Sequence, residues 1–185
     1  MDDLQHEQRV LAHYLKHHRT HTGKAGTLLS DTSLFQELLL PFFTPLSRKL
    51  SEWATSHFEH NTSHPEQLIH KTPAGHLVRS KSEYMIASFL FQNKIPYRYE
   101  CALSLCDITL FPDFTIRHPQ TGEYYYWEHF DLIDNPYYCK STCSKLQLYM
   151  TEGLIPTINL ITTFETKDNP LDYEIIEKII EHYFL

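Results

Sequence analysis

The sequence predicts a mixed α/β domain whose elements run helix, three strands, helix, strand, helix, behind a helical N-terminal extension. Three observations carry that expectation. Met85, Ile86, Phe89 and Leu90 recur at helical spacing. Residues 97–105 then alternate with a period of two, Tyr, Tyr, Cys, Leu and Leu on one face against Arg98, Glu100, Ala102 and Ser104 on the other. Finally, the 185 residues, 42% of them apolar, suffice for one full core and a small accessory segment but hardly for two independent domains.

In chain order, Leu4, Val10, Leu11, Tyr14 and Leu15 set a helical pattern over residues 4–18, closed by the polar stretch that ends at Gly23. Apolar residues resume from Ser33 to His60, and Pro41 and Pro45 divide that tract into two helices, because proline removes a helical N–H donor. Residues 61–76 are rich in turn formers and read as a connector, so residues 1–75 form the extension and 76–185 the core. Ser80 caps the first core helix, which stops near Asn93 ahead of Pro96. Strands follow over 97–105, 108–117 and 123–130, the last two joined as an antiparallel hairpin through His118-Pro119-Gln120-Thr121-Gly122. A helix over 136–152 ends at Gly153, a buried strand covers 155–163, and an amphipathic helix over 170–184 closes the chain.

Composition excludes several classes. No apolar run approaches the roughly 18 residues that span a bilayer, and Met1-Asp2-Asp3-Leu4-Gln5 lacks the basic and apolar segments of a leader. A soluble cytoplasmic protein is the expectation. The four cysteines, Cys101, Cys106, Cys139 and Cys143, are too few for a disulfide framework and contain no Cys-x-x-Cys pair. A net charge of -7 opposes general nucleic-acid binding, which rests on Lys and Arg. A local cation bound among carboxylates would partly offset it.

Four residues carry the chemistry: Glu83, Asp113 after Pro112, Glu128 and Lys145. Carboxylates hold a hard divalent cation, and an ammonium stabilises charge at a phosphorus, which is what metal-dependent phosphodiester cleavage requires. Ser80-Lys81-Ser82-Glu83 also matches a capping box, yet Glu83 shares its helix face with Ile86 and Leu90 and so turns toward the sheet. Asp113 interrupts a strand-forming run, where aspartate is disfavoured. Glu128 shares a strand face with Tyr124, Tyr126 and Phe130, while His129 points the other way.

That order of elements, with an acid on the first helix, Pro-Asp in the second strand and an acid ending the third, resembles the PD-(D/E)XK nuclease superfamily over residues 76–185. The stretches Val78-Arg79-Ser80-Lys81-Ser82-Glu83 and Tyr126-Trp127-Glu128-His129-Phe130 resemble an uncharacterised bacterial and phage branch of it. The resemblance implies a restriction-endonuclease-like core, a small mixed sheet flanked by helices, and hydrolysis of DNA, less often RNA, with Mg²⁺ or Mn²⁺. Asp113, Glu128 and the backbone carbonyl of His129 would hold the ion, with Glu83 orienting it or a second one. Phe130 occupies the position of the motif lysine, and Lys145 is the candidate replacement, with Gln147 and Tyr149 as helpers on the same helix. Arg79 and Lys81 are candidate contacts to the nucleic-acid backbone.

The rival expectation is a catalytically inactive module that keeps the fold for nucleic-acid binding or protein assembly. A protein partner reached through residues 1–75 and self-association as a homodimer complete the partner expectations. His57, His60 and His64 raise a histidine metal site that Asn61, Ser63 and Pro65 argue against, and Glu100, beside Tyr99, resembles a second acid found near some sites of the superfamily but reads first as a surface strand carboxylate.

Overall fold

The computed structural model describes residues 46–105 and 108–185. The helices expected before residue 46, the basic run from Lys16 to Lys24, and Cys106 lie outside the described residues. The described elements are α1 (Leu46–Thr55), β1 (His70–Lys71), β2 (Leu77–Val78), α2 (Lys81–Gln92), β3 (Tyr97–Tyr99), β4 (Leu103–Leu105), β5 (Ile108–Leu110), β6 (Phe114–Arg117), β7 (Tyr124–Phe130), α3 (Pro136–Thr151), β8 (Leu160–Phe164) and α4 (Tyr173–Phe184). The architecture is mixed α/β, as the sequence predicts.

The central sheet has four strands in the order β3-β6-β7-β8. β3 and β6 are antiparallel, β6 and β7 form the expected antiparallel hairpin, and β8 joins β7 in parallel. A parallel neighbour needs a crossover, and α3 supplies it. The hairpin turn closes because Gly122 adopts φ 74, a conformation that costs glycine little, and donates its N–H to the His118 carbonyl at 2.8 Å.

The two faces of the sheet bury different helices. Ile86, Ala87 and Leu90 of α2 and Ile176, Ile180 and Phe184 of α4 pack with Phe114, Ile116, Trp127 and Ile161. On the other face Tyr149 and Leu146 of α3 pack with Tyr126 and Leu160. Adjacent Tyr126 and Trp127 face opposite sides, as the pleat requires.

Several expected strands are shorter than their alternation suggests. Residues 97–105 break at Glu100, which adopts φ 44, and the chain resumes as β4, which pairs with β5 in a separate two-stranded ribbon. Residues 108–117 break before Phe114, where Pro112 has no N–H to give a ladder. The final strand is shifted: residues 155–159 form a turn, with Thr157 at φ 70 and Asn159 Oδ1 accepting the Ile155 N–H at 2.7 Å. The last helix begins at Tyr173, where Asp172 accepts the Glu174 N–H.

Leu46–Leu185 forms one compact unit, and residues 46–75 bond directly to the sheet and to the start of α2. Arg98 of β3 donates to the Trp53 carbonyl at 2.6 Å, with its guanidinium 4.5 Å from the Trp53 ring centre. The Ala102 N–H reaches the Glu59 carbonyl, and Arg79 reaches the carbonyls of Ser63 and His64. No helix among the described residues is long and apolar enough to cross a membrane.

Candidate functional site

Where β3 ends and β6 begins, β7 runs on beside them, and each of the three chain segments carries an acid there. Tyr99 of β3 lies opposite Phe114 of β6, and Phe114 lies opposite Trp127 of β7. One residue further along both registers places Glu100, Asp113 and Glu128 in a row. The Glu100 N–H donates to the Asp113 carbonyl at 2.9 Å, and the His129 N–H donates to Asp113 Oδ2 at 2.7 Å. The second bond puts a carboxylate oxygen where a ladder carbonyl would otherwise stand. A strand residue sends its N–H and C=O to the same side, so the His129 carbonyl also faces the Asp113 edge.

Like charges opposed across strands are destabilising, and the outer two acids are each held by a cation. Glu100 takes a two-pronged bond from Arg79, Nε to Oε1 at 2.8 Å and Nη2 to Oε2 at 3.0 Å, and is buried rather than the surface carboxylate its strand position suggests. Glu128, 1% exposed, accepts from Lys145 Nζ at 2.8 Å on Oε2 and from the Tyr149 hydroxyl on Oε1. Asp113 between them has no ion-pair partner among the described residues.

The electrostatics follow that pattern. Burial, then the charges of Glu128 and Glu83, push the Asp113 carboxyl well above the usual carboxylate range. Burial also raises Glu128, against which Lys145 and Tyr149 act. For Lys145, burial favours the neutral amine, but the charges of Glu128 and Asp113 prevail and hold the ammonium more firmly protonated than usual. Tyr149 is raised by burial and then by Glu128, so its hydroxyl is a donor at neutral pH.

Glu83 is at once a capping residue and an inward acid. Its Oε2 accepts from the N–H groups of Arg79 and Ser80 and, at 2.8 Å, from the Tyr99 hydroxyl, while Ser80 Oγ accepts the Glu83 N–H. Those bonds hold it on the α2 face of the sheet. The oxygens of Glu83, Asp113 and Glu128 do not all lie within 4.8 Å of one another; among the described residues the group that does is His129, Asp131 and Glu165. Sharing of one ion by all three carboxylates therefore does not follow from the geometry, and Glu83 acts on Asp113 and Glu128 through its charge.

The remaining sequence candidates divide clearly. Lys145 and Tyr149 meet at Glu128, whereas Gln147 is exposed on the intervening turn of α3. Arg79 is not free to contact nucleic acid: its five N–H donors go to Glu100, to the carbonyls of Ser63 and His64, and to Gln67. Lys81 is exposed in the first turn of α2. Phe130, in the position of the motif lysine, is buried and stacked on Phe164 with centroids 5.4 Å apart. Among the described residues, Cys101, Cys139 and Cys143 are free thiols, and His57, His60 and His64 form no metal-binding group.

Sequence reasoning missed Glu100 as a member of the row, and Asp131 and Glu165 altogether. The alternation over 97–105 disguised Glu100, although an acid beside the aromatic pair Tyr97 and Tyr99 is itself a signal. Asp131 shares the parity of His129 and was legible; Glu165 needed the β7–β8 register. No protein-family model, curated protein or solved structure matches the chain.

Proposed function

We propose that the protein is a metal-dependent nuclease that hydrolyses phosphodiester bonds, in DNA before RNA, at the row formed by Asp113, Glu128 and Lys145. The observation that carries this reading is the pair of carboxylates opposed at the β6 and β7 edge, a half-buried Asp113 with no cation on it among the described residues and a buried Glu128 that holds Lys145. The order of α2, β3, β6, β7, α3, β8 and α4, with its antiparallel, antiparallel and parallel pairings, supports a restriction-endonuclease-like core.

The donor set fits a small hard cation. Asp113, Glu128 and the His129 carbonyl offer only oxygen, which suits Mg²⁺ or Mn²⁺, and Asp113 Oδ1 carries no hydrogen bond among the described residues. Such an ion, when bound, supplies Lewis-acid polarisation of a phosphate oxygen and a more acidic water. Asp113 and Glu128 would hold the ion, and its positive charge would favour the ionised form of Asp113 that burial and its acidic neighbours oppose. The Lys145 side chain is 37% exposed, and its Nζ spends one N–H on Glu128 Oε2, so a second N–H can neutralise charge developing on a phosphoryl group. Tyr149 fixes the Glu128 rotamer, and the charge of Glu83 would help orient a hydrated ion held there. Lys81 contributes a local positive charge for the phosphate backbone.

One observation favours the rival reading of an inactive nucleic-acid or assembly module: the stacked Phe130 leaves no lysine on β7 itself. A single assay separates the two. Supercoiled plasmid, single-stranded DNA and RNA are incubated with Mg²⁺, Mn²⁺ or chelator, beside Asp113→Asn and Glu128→Gln. Cleavage that needs metal and both carboxylates supports the nuclease; no cleavage of any substrate, or equal cleavage by the variants, overturns it.

A further inference from the structure

We propose that His129, Asp131 and Glu165 form a second metal site, one that takes a first-row transition cation of the Zn²⁺ class and lies on the α2 and α4 side of the sheet, separate from the Asp113 and Glu128 row. His129 belongs to both neighbourhoods through different atoms. Its backbone faces Asp113, while its imidazole projects to the opposite side from Glu128.

The spacing is that of ligands around one ion. His129 Nε2 lies 3.0 Å from Asp131 Oδ1 and 3.5 Å from Glu165 Oε2, and ligand atoms of all three residues lie within 4.8 Å of one another. Metal bonds of about 2.0–2.2 Å meeting at ordinary coordination angles separate neighbouring ligand atoms by roughly 2.8–3.6 Å. A direct imidazole-to-carboxylate hydrogen bond does not account for the contact. The His129 side chain is 1% exposed, yet its Nε2 and Asp131 Oδ1 are both buried without a hydrogen bond, so the atoms are close but misaligned. Native proteins rarely leave two such atoms unsatisfied side by side.

The surrounding bonds aim the ligands. His129 Nδ1 lies 2.9 Å from Thr163 Oγ1, which also accepts the Trp127 indole N–H at 3.0 Å. That hydroxyl oxygen can accept the Nδ1 hydrogen as well, and in that tautomer the Nε2 lone pair is directed at the two carboxylates. A metal-binding histidine is ordinarily oriented by such a second bond. Glu165 is held at Oε2, the oxygen 3.5 Å from His129 Nε2, by Ser82 Oγ at 2.7 Å and by the Leu171 N–H at 3.0 Å, so a small rotation of the carboxylate is what would turn an oxygen onto the ion. Asp131 and Glu165 are 39% and 21% exposed as side chains, so water can complete the coordination. Imidazole nitrogen suits Zn²⁺ and its neighbours better than Mg²⁺ or Ca²⁺, which separates this site chemically from the all-oxygen row.

The test is equilibrium dialysis of the full chain, stripped with chelator, against Zn²⁺ and separately Mg²⁺, with a thermal melt of each sample. Asp131→Asn and Glu165→Gln remove one ligand charge each at near-constant shape, and Asp113→Asn disables only the other row. The expected result is Zn²⁺ binding in the wild type and in Asp113→Asn at equal affinity, weakened about tenfold or more in Asp131→Asn and in Glu165→Gln, with no comparable Mg²⁺ binding. Zn²⁺ should raise the melting temperature of the first two proteins and not of the last two. Wild-type Zn²⁺ affinity in both ligand variants, or its loss in Asp113→Asn instead, overturns the proposal. Because each ligand variant is read separately, one that fails to fold leaves the other to decide.

Discussion

Lys145 reaches from α3 to place its Nζ 2.8 Å from Glu128 Oε2, and so neutralises one member of a carboxylate pair whose other member, Asp113, has no such partner among the described residues. Removing one partner of a buried pair leaves a charge that water cannot reach. Lys145→Met should therefore cost about 1–3 kcal/mol at pH 7, the lower end reflecting the partial exposure of Lys145. The deficit should shrink as acid protonates Glu128. Urea denaturation at pH 5 and pH 7 measures both, and plasmid cleavage should fall at least about 100-fold.

Asp113→Asn should separate stability from activity. The folded carboxyl sits well above its ordinary pKa of about 3.9, so the folded state holds its proton more tightly than the unfolded chain. That stabilisation is full below about pH 3.9 and is lost as pH rises through the folded value. The asparagine variant, which keeps an acceptor for the His129 N–H, avoids the loss. It should match the wild type near pH 4, exceed it by about 1 kcal/mol at pH 8, and cut no substrate. A pH series of melting curves with a cleavage assay provides the check.

Metal should reverse that order. Mn²⁺ at about 100 times its dissociation constant should stabilise the wild type by about 2.7 kcal/mol and leave Asp113→Asn nearly unchanged. Calorimetric melts with Mn²⁺ and with chelator give the comparison, and identical shifts in the two proteins would remove Asp113 from the ligand set.

Glu83 has two duties that different substitutions divide. Glu83→Gln retains a carbonyl oxygen for the Arg79 and Ser80 N–H groups, so stability should drop by less than about 1 kcal/mol, whereas Glu83→Ala should lose about 1–2 kcal/mol with the cap. If its charge serves the metal, both variants should weaken Mn²⁺ binding equally. Denaturation read beside Mn²⁺ titration distinguishes a cap from a contributor to the field.

Restoring the motif lysine should fail. Phe130→Lys would push an ammonium into the space where Phe130 stacks on Phe164, at a cost of about 3 kcal/mol in packing and desolvation, with no gain in cleavage. A lower denaturation midpoint with unchanged or reduced activity is the expected outcome.

What the sequence made legible was mostly local. The hairpin turn with Gly122, the stop at Gly153 and the capping box at Ser80 are short-range signals, and each stands where it was expected. Strand ends were less readable because tertiary partners set them. Glu100 leaves the ladder to meet Arg79, twenty-one residues away, and no periodicity announces that. Glu128 and Lys145 were identified separately, and their contact depends on α3 crossing between two parallel strands. Glu165 sits thirty-six positions from His129 in the chain, so its role is invisible until β7 and β8 are in register.

The Thr163 hydroxyl gives the molecule an optical handle. It links the fully buried Trp127 indole to the His129 ring, and the only other tryptophan, Trp53, lies on α1 beneath Arg98. Emission from Trp127 thus comes from a dry, rigid setting one side chain removed from an imidazole. Whatever alters the electronic state of that ring perturbs a chromophore already in place, so ligand uptake can be followed without attaching a dye.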